Sequence, residues 1–278
     1  MNTINRNNTV VHFDKNRLFF NKWEMYKLLS SYQVPFHIPF TTVLTRQSLH
    51  YFLNSTSPFF IKPVNSWAGK NITLVNPTLN GFILSQPNGN SSFYQNQSLI
   101  MQSIERQYAG THSILQEKAP LTSFNSKVFD IRVHLQRDPS GGWIYAGDLA
   151  RIGGNKVIVS NLFAQGGGVM ETDNVINHIL DFNQVNNVKQ KLAKSTYTIA
   201  KILDSQYPFV DIGADFGLDQ QGDLWLLEVN TNDREGRPGY DLFKKLPNKT
   251  TYKKMITIDK ERKKVWNKTK MFPYLLRG

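Results

Sequence analysis

The segment running from Asp211 through Asp215 to Leu224-Trp225-Leu226-Leu227-Glu228-Val229-Asn230 carries oxygen-bearing side chains at spacings that could serve one ligand. Side chains on a strand repeat every two residues, so Glu228 and Asn230 fall on one face. A two-residue hairpin loop at Gln221-Gly222 would set Asp215 directly opposite Glu228. Carboxylate and amide oxygens suit hard cations, and Mg²⁺ takes one or two carboxylates while leaving its other positions to water and phosphate oxygens. Asp215, Glu228 and Asn230 therefore point to a Mg-nucleotide site rather than a closed metal cage. The plainer alternative is a surface hairpin with solvated acids. Against it, Glu228 follows an apolar run in which an unpartnered carboxylate would be costly to bury.

Two further segments carry cations. Lys62 ends the apolar run Phe59-Phe60-Ile61 and precedes a loop of small residues containing Ser66, Gly69 and Lys70. A lysine at a strand end projects charge from a fixed point, and small residues let backbone N–H groups approach phosphate oxygens. A lysine merely snorkelling at a strand end leaves the same pattern. Downstream, Gln116-Glu117-Lys118 is followed by Asp130 and Arg132 on one strand face, and Arg151, Asn161 and Gly166-Gly167-Gly168 add phosphate-compatible groups. An Asp–Arg pair on a sheet is ordinarily a structural ion pair.

The elements expected to position these residues alternate irregularly. A possible strand at 9–13 precedes a helix over 22–32, with Trp23, Tyr26, Leu28 and Leu29 at helical spacing, ended by Pro35 and Pro39. Thr45 is placed to cap a second helix carrying Leu49, Phe52 and Leu53. Strands are expected at 59–63, 72–75 and 114–117, an edge strand at 82–84, and a helix over 98–107. Strands 127–136 and 143–150 read as a pair joined by Asp138-Pro139-Ser140-Gly141-Gly142, and a long helix over 183–206 precedes a hairpin over 209–230. This mixture indicates an α+β fold rather than a doubly wound parallel sheet.

The chain has 278 residues, 40% of them hydrophobic, enough for one large domain or two lobes with real cores. It contains no cysteine, which excludes thiolate metal sites and a cysteine nucleophile. No apolar run approaches the length of a membrane span, and the polar amino terminus does not read as a leader, so a cytoplasmic protein is expected. The net charge of +12 favours polyanionic partners without choosing among them. Much of that excess lies between Lys244 and Lys270, a run that also fits a solvated helix face and tail. Neither a Gly-x-Gly-x-x-Gly after a strand nor a Walker-type Gly-Lys-Ser/Thr is present.

Taken together, Asn21-Lys22, Phe60-Ile61-Lys62-Pro63, Gln116-Glu117-Lys118, Phe129-Asp130-Ile131-Arg132 and Leu227-Glu228-Val229-Asn230 resemble, in order, the motifs of the ATP-grasp superfamily, and within it the YheC/YheD-type proteins associated with the spore coat. The resemblance runs from about Asn21 to about Phe243. It implies an ATP-grasp fold of two α+β lobes enclosing ATP: an arm over 1–20, a smaller lobe over 21–118, a larger lobe over 119–246 and a basic segment over 247–278. It implies an ATP-dependent ligase that activates a carboxylate as an acyl phosphate, joins it to an amine, and releases ADP and phosphate.

Under that resemblance, Lys22 and Lys62 neutralise ATP phosphates, the loop with Ser66, Gly69 and Lys70 covers them, and Gln116, Glu117 and Lys118 meet the adenine edge. Asp130 belongs with these nucleotide-binding residues; Asp215, Glu228 and Asn230 hold Mg²⁺; and Arg132, Arg151 and Asn161 stabilise charge on the transferred group. The polar stretch 231–239 is expected near the acceptor. Many ATP-grasp ligases carry a whole domain before the first lysine, which some twenty residues cannot replace. An acceptor pocket open to a peptide end, or completed by another subunit or partner protein, is the expectation, with the basic segment steering an acidic peptide. A non-catalytic nucleotide-binding scaffold of the spore coat is the main rival. A nucleic-acid binder is the lesser one, since no recognition motif accompanies the charge.

Overall fold

The computed structural model describes residues 10–14, 19–66, 70–154, 157–158, 160, 167–231 and 240–269. In chain order the elements are α1 (Lys22–Ser30), β1 (Thr41–Val43), α2 (Arg46–Asn54), β2 (Phe59–Pro63), β3 (Thr73–Thr78), β4 (Gly81–Ser85), β5 (Ser91–Tyr94), α3 (Gln97–Gln107) and β6 (Ser113–Glu117). Then follow β7 (Phe129–Arg137), β8 (Trp143–Ile152), β9 (Gly168–Met170), α4 (Thr172–Ile179), α5 (Phe182–Asp204), β10 (Asp211–Leu218), β11 (Leu224–Asn230), α6 (Tyr240–Phe243) and α7 (Thr250–Thr269). The strands form two sheets, ordered β1-β6-β2-β3-β4-β5 and β11-β10-β7-β8-β9. Every paired neighbour is antiparallel, the α+β arrangement expected from the sequence.

The six-stranded sheet packs one face on α2 and α3. Thr45 caps α2 through a capping box with Ser48, and Leu49, Phe52 and Leu53 meet Phe59, Ile61, Leu115, Ile100 and Ile104 in one buried cluster. Strand alternation turns Lys62, Ile114 and Gln116 to the opposite face. The five-stranded sheet packs Ile131, Val133, Leu135, Ile212, Ala214 and Phe216 against Val188, Leu192 and Ile199 of α5. Its other face carries the even-numbered polar residues of β7, from Asp130 to Gln136.

Several expectations are corrected. Residues 10–13 form no strand; Asp14 instead pairs with Phe19 in an isolated bridge. Helix α1 sends Met25, Leu28 and Leu29 into the core of the five-stranded sheet, while Trp23 and Tyr26 of the expected helical spacing are only half-buried. Strand β4 is not an edge, because the polar Ser91–Tyr94 pairs beyond it. A separate helix, α4, precedes the long α5. The basic segment is no loose tail: α7 buries Met255, Asp259, Arg262 and Trp266.

The last hairpin corrects a premise while keeping its geometric result. Leu218 pairs with Leu224, so the loop is longer than two residues, and Gly222 sits in it at φ +77°. The register then shifts between Asp215 and Phe216, because Phe216 pairs with Leu226 but Asp215 with Glu228. Leu227 is the extra residue of a β-bulge. Leu224 and Leu226 face the core, and after the bulge Val229 does so. Unbroken alternation would have sent Glu228 into that core; the bulge re-aims it to the opposite face with Asn230.

Candidate nucleotide site

Between the two sheets lies a cleft of about 250 Å³ whose walls include Lys22, Lys62, Ser66, Gln116, Arg132, Glu228 and Asn230. They come from a helix start, a loop and four strands. Asn21 caps α1 by accepting from Glu24 N at 3.0 Å, which starts the helix at Lys22. The Lys22 ammonium donates to the Ser66 carbonyl and pairs with Glu228 Oε1 at 3.1 Å. It thereby joins the loop after β2 to β11. Lys62 Nζ donates to Gln116 Oε1 at 2.5 Å and lies 5.1 Å from the centre of the Phe60 ring. Apolar wall residues include Ile38, Ile114, Leu226 and Leu227.

Burial pushes the Lys62 ammonium down to about 8; the Glu228 charge opposes that fall and Lys22 adds to it. Among the described residues the cleft thus holds two lysines against one glutamate, with the positive charge of Lys62 incompletely compensated.

At the cleft floor, Arg132 straddles Asp215, its Nε meeting Oδ1 and its Nη2 donating to Oδ2 at 3.0 Å. Arg151 bridges Asp215 at 2.7 Å and Asp130 at 2.6 and 2.8 Å. The Ser160 hydroxyl also donates to Asp130. Gly213 makes room for this stack, since a Cβ there would lie 3.2 Å from Arg132 Nη1. Burial works against the charge of Asp215, but the Arg132 and Arg151 guanidiniums outweigh it and hold the carboxyl below its usual range. Asp130 is raised, by burial and by the neighbouring Asp215, with Arg151 opposing.

The remaining sequence candidates are not gathered in the same way. Glu117 and Lys118 are exposed and do not line the cleft, and their backbone N–H groups donate to Phe40 and Pro58 carbonyls at 2.9 and 3.0 Å. Lys70 is exposed and likewise absent from the lining. Gly69, Asn161, Gly166 and residues 232–239 lie outside the described residues. Among the described residues no three His, Asp or Glu side chains converge as a metal cluster. The hard oxygen donors nearest such a role are Glu228 and Asn230, with Asn230 Nδ2 3.5 Å from Asp215 Oδ2. Thr41, which sequence reasoning passed over, touches the site from behind by accepting from Gln116 Nε2 at 3.0 Å. No periodicity marks it, because its importance depends on which strand lies beside β6.

A family model described as YheC/D-like ATP-grasp matches residues 11–259, most of the chain. The chain belongs to this family. Among curated relatives of this ATP-grasp family, the endospore coat-associated protein YheD of Bacillus subtilis (strain 168) is 26% identical over 236 residues, covering 82% of this chain and 50% of YheD. The chain therefore spans about half the length of that relative. Solved structures that the chain matches include D-cycloserine synthetase DcsG, with 15% identity, a TM-score of 0.48, and coverage of 87% of this chain and 70% of that one. Another is the VanG D-Ala:D-Ser ligase of Enterococcus faecalis, with 14% identity, a TM-score of 0.46, and coverage of 86% and 61%. Among the described residues no helix is long and apolar enough to cross a membrane.

Proposed function

We propose that the chain is an ATP-dependent carboxylate–amine ligase that forms an acyl phosphate and releases ADP and phosphate. The observation that carries this reading is the convergence of Lys22 from α1, Lys62 from β2, and Glu228 and Asn230 from β11 on one cleft between two sheets. Two ammonium groups suit a phosphate chain. Glu228 and Asn230 supply the hard oxygens that Mg²⁺ prefers, and as a pair they fit an ion that keeps water and phosphate in its other positions. Bound Mg²⁺ would neutralise phosphate charge and polarise the transferred phosphoryl group. Asp215 is the less available third donor, because both its oxygens are engaged by Arg132 and Arg151.

In this reading Lys22 and Lys62 hold the phosphates, Gln116 borders the base, and Arg132 lies at the cleft floor where charge on the transferred group would develop. Arg151 supports Arg132 through the shared Asp215. Substrates are a carboxylate and an amine, an acidic peptide among the candidates.

The test is an ADP-release screen with Mg-ATP against amino acids, peptides and small dicarboxylates, with product masses recorded. A product equal in mass to carboxylate plus amine less water, formed with one ADP, supports the ligase. A second reading, a nucleotide-binding scaffold of the spore coat, draws on the name of the Bacillus subtilis relative and on one observation: Arg132 and Arg151 are both engaged by carboxylates. Tight Mg-ATP binding with no ADP release across the whole screen would select it.

A further inference from the structure

Thr41 lies directly across from Gln116 in the register of β1 and β6 and is 2% exposed. Its hydroxyl has one proton, which goes to the Pro39 carbonyl at 2.9 Å. Toward Gln116 it can then act only as an acceptor. Gln116 Nε2 donates to it at 3.0 Å, so Gln116 Oε1 is left facing Lys62 Nζ at 2.5 Å. A flipped amide would set oxygen against oxygen at Thr41 and N–H against ammonium at Lys62, so proton counting alone decides the orientation.

We propose that Thr41 is a positioning residue of the nucleotide site, acting through the Gln116 amide to fix the Lys62 ammonium where a phosphate chain enters the cleft. The ligand's identity rests on the ATP reading above; the relay Pro39–Thr41–Gln116–Lys62 does not. Among the described residues one carboxylate, Glu228, favours the charge of Lys62 against burial, and the neutral oxygen of Gln116 is its directional anchor. The backbone of β1 and β6 in turn fixes where Thr41 and Gln116 stand. Thr41, itself outside the cleft lining, thus sets the cation through a second side chain.

The experiment uses the full chain with Thr41→Val, Thr41→Ser and Gln116→Met. Two quantities are read: the Mg-ATP affinity by calorimetry, and the pH profile of Lys62 acylation by acetic anhydride in nucleotide-free protein, followed by mass spectrometry of the Lys62 peptide. The wild-type acylation midpoint is expected at about 8. Thr41→Val should move it downward, because the ammonium loses its acceptor, and should weaken Mg-ATP by about tenfold. Thr41→Ser keeps the hydroxyl and should restore both. Gln116→Met should match Thr41→Val. Wild-type midpoint and affinity in Thr41→Val, or in Gln116→Met, would overturn the relay. Should circular dichroism show that Thr41→Val does not fold, Thr41→Ala, which also lacks the hydroxyl, is read in its place, and a wild-type midpoint and affinity there would overturn the relay. A wild-type chain that binds no Mg-ATP, yet shows the expected acylation shifts, would remove the ATP reading and leave the relay standing.

Discussion

One face of β7 carries Asp130, Arg132, His134 and Gln136 in alternation, and the two halves of that row meet different neighbours. Beneath α6 and α7 the second half is sealed. Asp211 accepts from the Tyr240 hydroxyl at 2.7 Å, and its carboxylate lies 3.2 Å from His134 Nε2 and 3.3 Å from Arg262 Nη2. Arg262 also pairs with Asp259 at 2.7 Å and donates to the Arg137 carbonyl at 3.0 Å. Arg262, Asp211 and Asp259 are each 2% exposed or less. In the first half, Arg132 and Arg151 balance Asp130 and Asp215, but above them Lys22 and Lys62 share Glu228. Similar side chains thus do different work. Where charges complete one another under a helix they hold the lobe together, and where, among the described residues, lysines outnumber the carboxylate they share, the surface is ready for an anion.

The largest effect should come from the sealed half. Arg262→Met leaves Asp211 and Asp259 buried without their shared guanidinium, and breaking such a pair costs about 3–5 kcal/mol. Denaturant unfolding should show that loss, while Mg-ATP affinity of the folded protein stays near wild type. Nucleotide affinity falling with stability intact would erase the distinction between the two halves.

Glu228→Gln asks the converse of the cleft. It keeps the shape but removes the charge that Lys22 and Lys62 share, along with a metal-ligand charge. Turnover should fall by about a hundredfold, the scale for losing one preorganised electrostatic group. Stability should hardly change, since this side chain is 37% exposed. Wild-type Mg-ATP affinity and turnover in the variant would mean that Glu228 has no part in the site.

A smaller contrast separates Lys62 from Lys70. Lys62→Met removes a poorly compensated, half-buried cation, so stability should rise by about 1 kcal/mol while Mg-ATP affinity drops by about tenfold or more. Lys70→Met, on an exposed loop residue, should do neither. Equal losses of affinity would place the phosphate contact on the loop instead of the strand.

How much of this is legible in the sequence depends on the range of the interaction. Lys22, Lys62, Glu228 and Asn230 stand out because a helix start, a strand end and a two-residue alternation are local signals. The bulge at Leu227 is not local: it exists only in the pairing with β10, and without it the alternation sends Glu228 the wrong way. The pairing of Asp215 with Arg132 follows from the β7–β10 register, which joins residues far apart in the chain. The docking of α7 is hidden differently. Met255, Asp259, Arg262 and Trp266 stand at helical spacing, but two of the four are charged, so the buried stripe reads as part of a solvated basic run. Strand β5 escapes notice because Ser91-Ser92-Phe93-Tyr94 offers little apolar alternation.

The subtlest test of the comparison is its pH dependence. Burial holds Lys62 at about 8 in the folded chain, below the ordinary lysine value of 10.5 that applies when it is unfolded. Between these values the unfolded chain binds more protons at this site, so its contribution to stability rises with pH. Below about 8 both states carry the charge and the penalty for burying it is fully present. An anion in the cleft should favour the charged lysine and reverse that preference. Mg-ATP binding should then take up a proton at alkaline pH and weaken by about fourfold between pH 7 and 8.5, as expected for one proton leaving with a midpoint near 8. Calorimetry in buffers of different ionisation enthalpy would count that proton. Lys62→Met should flatten both the uptake and the pH slope, while Arg262→Met should leave them in place, because no group in the sealed half faces the ligand. A slope that persists in Lys62→Met would assign the titration to another group and remove Lys62 as the cation that distinguishes the cleft from the sealed end of the same face.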